Sequence, residues 1–174
     1  VTKNSHNTFV KPFPISIAFT KATASRSKAS REMGQAMFAK MGVTSKYIGI
    51  GVDRLDYTKG VLERLKAIEL FLTNYPAYIE KFTFVQISAP SRSTIKHYQE
   101  FEEKVQKEIE RINNHFKRNN WKPIVFLKKY HSHADIYPLY KAANVCLVTS
   151  LHDGMNLVAK EFVSAREDEK GVLI

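Results

Sequence analysis

The chain has 174 residues, 44% hydrophobic and 25% charged, which is a globular composition sized for one ordinary domain with a core of its own. No apolar run reaches the roughly 18 residues of a membrane helix, and no stretch reads as a signal-peptide core or lipidation motif, which excludes membrane-spanning and collagen-like classes. The one cysteine, Cys146, predicts a reducing, cytoplasmic setting, and 27 Lys and Arg against 17 Asp and Glu, net +10, point to an anionic partner.

Positions 1–46 read as a linker followed by a basic helical segment. Residues 12–17 suit an edge strand or an extended linker, and 29–41 suit a helix ending near Gly42. Eight of the basic residues fall in this stretch against one acid, but 21–46 holds one aromatic residue to stack a base, so a nucleic-acid partner is not expected.

From 47 to 174 short β-branched runs alternate with helical runs. Residues 47–52 form a strand candidate, and Val61, Leu62, Leu65, Ile68, Phe71 and Leu72 recur at helical spacing until Asn74-Tyr75-Pro76. Then come a strand at 82–87, a helix over 95–116 and a strand at 124–127, with Trp121 packing at its entry. The pattern continues with a helix at 134–143, a strand at 145–149 holding Cys146 as a core residue, and a helix at 156–165. The final 171–174 read as the opening of a buried strand, which, with no initiator Met, predicts a piece of a longer protein. Strands separated by helices predict an α/β, Rossmann-like parallel sheet with helices on both faces.

Ligands of such sheets sit beyond the carboxyl ends of the strands, which directs attention to three loops. Asp53-Arg54-Leu55-Asp56-Tyr57-Thr58-Lys59-Gly60 carries two cations and leads into a helix N-terminus, a combination suited to a diphosphate; a solvated loop whose Arg and Asp pair with each other fits equally well. Gly49-x-Gly51 is no dinucleotide fingerprint, because Arg54 stands where the third glycine belongs. After the strand at 145–149, Gly154 permits a sharp turn, and Met155, Asn156 and Leu157 offer N–H groups at a helix start. Asp153 and Glu161, about two turns apart in height, can face one ligand, although spacing by itself favours Asp153 as a helix cap and Glu161 as a solvated residue. In 88–93, Arg92 is flanked by hydroxyls that can share a phosphate with it, yet a lone arginine is more often a surface residue. His131 and His133 are too few for a metal site, and structural or surface roles are expected.

The strings Arg54-Leu55-Asp56-Tyr57-Thr58-Lys59-Gly60, Gln86-Ile87-Ser88-Ala89-Pro90-Ser91-Arg92 and Asp153-Gly154-Met155-Asn156-Leu157-Val158-Ala159-Lys160-Glu161 resemble the trehalose-6-phosphate synthase family. The resemblance extends over nearly all of 47–174, and 13–17 look like the family's linker into its second domain. It implies one half of a GT-B glycosyltransferase, the donor-binding one, which transfers glucose from UDP-glucose to glucose 6-phosphate with retention, giving trehalose 6-phosphate and UDP. By resemblance Arg54 and Lys59 hold the UDP diphosphate, and Asp153 binds hydroxyls of the donor glucose. Met155, Asn156 and Leu157 supply backbone donors beside Gly154, Glu161 binds the ribose hydroxyls, and Ile87 and Ile136 flank the uracil. His131 falls where the family can carry an aromatic residue, and Arg92 matches the arginine that reaches the acceptor phosphate. Arg54, Lys59 and Asp153 are the implied catalytic set, with no cofactor and no metal.

What departs from the family is its amino-terminal half, which supplies a glycine-rich loop, most of the acceptor pocket and a histidine near the reacting carbon; an isolated chain is expected to be inactive. A GT-B transferase using another nucleotide sugar, and a noncatalytic regulatory or assembly module that keeps the site, are the alternatives, and a homo-oligomer is left open.

Overall fold

The computed structural model describes residues 2–3, 6–9, 11–17, 24–91 and 96–174. A small antiparallel hairpin, β1 (Thr2–Lys3) and β2 (His6–Asn7), precedes α1 (Ala24–Lys40). Then follow β3 (Tyr47–Arg54), α2 (Val61–Asn74), β4 (Phe82–Ala89), α3 (Lys96–His115), β5 (Ile124–Leu127), α4 (His133–Ala142), β6 (Val145–Cys146), α5 (Leu157–Ala165) and β7 (Val172–Leu173).

The five strands from β3 onward make one parallel sheet in the order β5-β4-β3-β6-β7. The chain therefore works outward from β3 in one direction and then, through α4, returns to continue from β3 in the other. The switch point lies between β3 and β6, where the crossovers diverge and leave a crevice at the carboxyl ends. This is the predicted doubly wound α/β architecture.

β4 is buried from Phe82 through Ser88, as a central parallel strand covered on both faces must be. One face packs Ile50 and Val85 against Phe38, Leu139, Tyr140 and Phe162 from α1, α4 and α5. The other packs Phe84 and Ile124 against Leu65, Ile68, Ile109 and Ile112 from α2 and α3. The α1 helix, which precedes Tyr47, thus shares the core of the sheet. Trp121 Nε1 donates to the Phe82 carbonyl at 3.1 Å and pins the start of β4. Cys146 is a free, fully buried thiol, and burial pushes its pKa up to about 12. Among the described residues no helix is long and apolar enough to cross a membrane.

The structure differs from the sequence reading at the margins. Residues 11–17 form no strand; the Lys160 ammonium holds the Ile15 carbonyl at 3.1 Å, a single side-chain tether. α1 begins earlier than expected, at Ala24. β6 is two residues long, and β7 is not buried: it is the sheet edge, where Val172 and Leu173 remain exposed.

Candidate functional site

A cavity of about 690 Å³ opens at the carboxyl ends of the strands, beside the switch point. Its lining includes Arg54 and Lys59 from the loop after β3, Ile87 from β4, Ile136 from α4, and Asp153, Met155, Asn156, Leu157 and Glu161 from the loop and helix after β6. The structure therefore brings together nearly every residue singled out for the donor. Gly154 lies in the same loop outside the lining, and Arg92 lies outside the described residues.

The loop after β3 does not run straight into α2. Asp56 Oδ1 accepts from the Thr58 N–H at 2.9 Å and from its hydroxyl at 2.8 Å, which winds Tyr57–Lys59 into a 3-10 turn. Gly60 then takes a left-handed backbone, φ 62°, before α2 begins; a Cβ there would lie 2.2 Å from the Thr149 carbonyl oxygen, so only glycine lets the two loops approach. The Thr58 carbonyl accepts from the N–H of Leu151 at 2.8 Å and of His152 at 3.2 Å, zipping the loops after β3 and β6 together. Arg54 is exposed at the cavity; its charge helps hold the Asp56 carboxyl below its ordinary value, but it makes no ion pair with an aspartate among the described residues.

Lys59 instead reaches across to Asp153, Nζ to Oδ2 at 2.7 Å, and this contact holds the Asp153 carboxyl below its ordinary value. Asn156 Nδ2 donates to the same oxygen at 2.8 Å, and the Met155 N–H also supports the carboxylate. Asp153 is thus no helix cap. That role falls to Asn156, whose Oδ1 accepts from the Ala159 N–H at 3.1 Å; the N–H groups of Leu157 and Val158 in the first turn have no acceptor within the helix. Nor is Glu161 simply solvated: it is half-buried in the cavity wall and accepts a hydrogen bond from the Tyr140 hydroxyl at 3.3 Å. Gly154 has no left-handed backbone, and a Cβ there would meet nothing within 4 Å, so the turn does not depend on it.

Sequence reasoning missed the residue that ties this site together. Arg64, on α2, is fully buried: Nη1 binds Asp53 Oδ2 at 2.6 Å and Gln86 Oε1 at 2.8 Å, and Nε binds Thr149 Oγ1 at 3.0 Å. It therefore joins the ends of β3 and β4 to the segment after β6, beneath the cavity. Gly51 makes room for it, since a Cβ there would lie 2.7 Å from Nη1. The signal was present, because Arg64 stands on the same helical stripe as Val61, Leu65 and Ile68. Lys129, Tyr130 and His131 also line the cavity, so His131 lies at the site, where spacing alone gave it a structural or surface role and the resemblance set it at a position that can be aromatic in the family.

Two cations, a carboxylate and a helix start converge at a switch point, an arrangement whose charges and free N–H groups suit an anion and hydroxyls. The family model of glycosyltransferase family 20 matches residues 1–174. The chain is 41% identical over 162 residues to the bifunctional trehalose-6-phosphate synthase/phosphatase of Thermoproteus tenax, covering 93% of this chain and 22% of that protein. It is 35% identical over 175 residues to the UDP-forming alpha,alpha-trehalose-phosphate synthase of Pichia angusta, covering 100% of this chain and 37% of that one. Among solved structures, the UDP-forming alpha,alpha-trehalose-phosphate synthase of Burkholderia xenovorans in complex with glucose-6-phosphate superposes with a TM-score of 0.78 at 38% identity, over 86% of this chain and 33% of that chain. This chain thus spans well under half the length of these relatives. Matched by that family model from its first residue to its last, the chain belongs to glycosyltransferase family 20.

Proposed function

We propose that this chain is the donor-binding half of a retaining glucosyltransferase that moves glucose from UDP-glucose to glucose 6-phosphate, releasing trehalose 6-phosphate and UDP. The observation that carries this reading is the meeting of Arg54, Lys59, Asp153 and the start of α5 around one cavity. The glucose 6-phosphate complex of the Burkholderia xenovorans relative supports the acceptor, and Arg92 is assigned to its phosphate. An amino-terminal domain completes the acceptor pocket and the opposite wall of the cleft. The buried, unpaired Cys146 supports a cytoplasmic setting.

The chemistry follows from the charges. As the bond between the anomeric carbon and the diphosphate oxygen breaks, negative charge grows on the departing UDP, and Arg54, Lys59 and the first-turn N–H groups of α5 stabilise it. The acceptor hydroxyl oxygen bonds to the same carbon on the face that UDP leaves, and its proton passes to the departing phosphate oxygen. No side-chain nucleophile and no metal enter this scheme.

The test is calorimetric titration of UDP, GDP and short single-stranded DNA into the chain. UDP is expected to bind most tightly of the three. Tighter binding of GDP would move the donor to another nucleotide sugar, and tighter binding of DNA would overturn the reading.

A further inference from the structure

Glu161, an acid of the cavity wall, is held from behind by a donor on α4. Its partner is Tyr140 on α4, whose hydroxyl donates to Oε2 at 3.3 Å. Tyr140 has no solvent exposure, and its ring packs edge-on against Phe162 with centroids 6.0 Å apart. It stands one helical turn beyond Ile136, so α4 sends Ile136 to the cavity and, from the same face, the Tyr140 hydroxyl to the back of the carboxylate. Tyr140 itself does not line the cavity.

We propose that Tyr140 is a positioning residue for the donor's ribose: it fixes the rotation of the Glu161 carboxylate so that the free oxygen and remaining lone pairs face a vicinal diol. This rests on the nucleotide-sugar reading of the site. A carboxylate on a flexible side chain must be held in one orientation before it can accept from two adjacent hydroxyls at once. The phenol is suited to the task. It is rigid, locked by packing against Phe162, and supplies one donor while leaving the other acceptor positions open. Glu161 is a glutamate on a nine-residue helix, and this hydroxyl is the side-chain donor that touches it among the described residues.

The test compares UDP with 2′,3′-dideoxy-UDP by calorimetry on the wild-type chain, Tyr140→Phe and Glu161→Gln, with thermal melts checking that each variant folds. Wild type is expected to prefer UDP by about tenfold or more, the size of a charge-assisted hydrogen-bonded pair. Tyr140→Phe, which removes one oxygen and keeps the ring, is expected to narrow that preference severalfold by weakening UDP while leaving 2′,3′-dideoxy-UDP unchanged. A merely structural role would lower both affinities together, and that result overturns the proposal. So does a Tyr140→Phe chain that keeps the wild-type preference while Glu161→Gln loses it. A wild-type chain that binds the two nucleotides alike overturns the ribose role of Glu161 and this proposal with it, whereas a chain that binds neither overturns the nucleotide-sugar reading.

Discussion

Lys59 and Asp153 stand 94 positions apart in sequence and meet through a 2.7 Å contact between Nζ and Oδ2. The loops that carry them follow β3 and β6, the two strands flanking the switch point, so the topology itself makes the pair. The two side chains are 14% and 20% exposed, which leaves the contact only partly screened. In the proposed reaction they serve opposite ends of one donor, the cation at the diphosphate and the carboxylate at the sugar.

Separating those two jobs gives the first expectation. Asp153→Asn frees the Lys59 ammonium from its carboxylate, so UDP should bind at least as tightly as to wild type, while the extra affinity conferred by the glucosyl group is lost. Lys59→Ala should weaken UDP far more than uridine, by roughly 1 to 3 kcal/mol for a charged hydrogen bond. Calorimetry with uridine, UDP and UDP-glucose reads all of these, and equal losses for uridine and UDP would detach Lys59 from the diphosphate.

Arg64 governs stability more than ligand contact. Removing one partner of a buried ion pair strands the other, so Arg64→Met should cost about 3 to 5 kcal/mol in urea denaturation. The pH dependence has a definite sign. Burial raises the Asp53 carboxyl above its ordinary value even with Arg64 beside it, and loss of the cation raises it further. A carboxyl whose folded pKa is raised weakens folding above that pKa, and the penalty fades as pH falls through it. The deficit of Arg64→Met relative to wild type should therefore be greatest near neutral pH and shrink toward acid. Asp53→Asn in the Arg64→Met background should recover part of it at neutral pH.

These two residues also mark what the sequence discloses. A buried parallel strand is a near-continuous apolar run, so 82–87 announces β4, and the rule that ligands sit beyond strand ends singles out Arg54, Lys59 and Asp153 without any contact being known. Arg64 is passed over because a charge on a helix ordinarily reads as a solvated face; its place on the apolar stripe is the local sign of burial, while its acceptors, Asp53, Gln86 and Thr149, lie on other elements. The choice of Asn156 over Asp153 as the cap of α5 was closed to local reasoning. Both are good capping residues, and a lysine far away in sequence claims one of them. At the margins the same limit applies: 12–17 have strand-like residues but no strand to pair with among the described residues, and β7 has an apolar sequence at the sheet edge, where Val172 and Leu173 stay exposed.

Arg92 separates acceptor from donor, and its test needs the full-length protein. It follows β4 in sequence, and the family resemblance gives it the acceptor phosphate in the proposed reaction. Arg92→Ala should raise the KM for glucose 6-phosphate or lower kcat/KM for it, with the KM for UDP-glucose little changed. Arg92→Lys should recover only part of the loss, because a point charge replaces a planar fork. Steady-state kinetics with each substrate varied decides the matter; a defect confined to UDP-glucose would place Arg92 on the donor side.

Two glycines in the motif loops make the final contrast. Gly60 holds φ 62° with the Thr149 carbonyl where a Cβ would go, whereas Gly154 has no left-handed backbone and open space around it. Gly60→Ala should lower stability by at least about 1 to 2 kcal/mol from the backbone conformation alone, and the clash should push the loop after β6 away from the loop after β3. That displacement parts Lys59 from Asp153, so UDP-glucose affinity should fall along with Tm. Gly154→Ala should leave Tm unchanged, because the added methyl touches nothing in the free chain. Any loss of UDP-glucose affinity in Gly154→Ala then reports contact with the ligand itself. Thermal melts paired with UDP-glucose titrations of the two variants read both effects, and a Gly60→Ala chain with wild-type Tm and affinity would show that the two loops are not locked together as described.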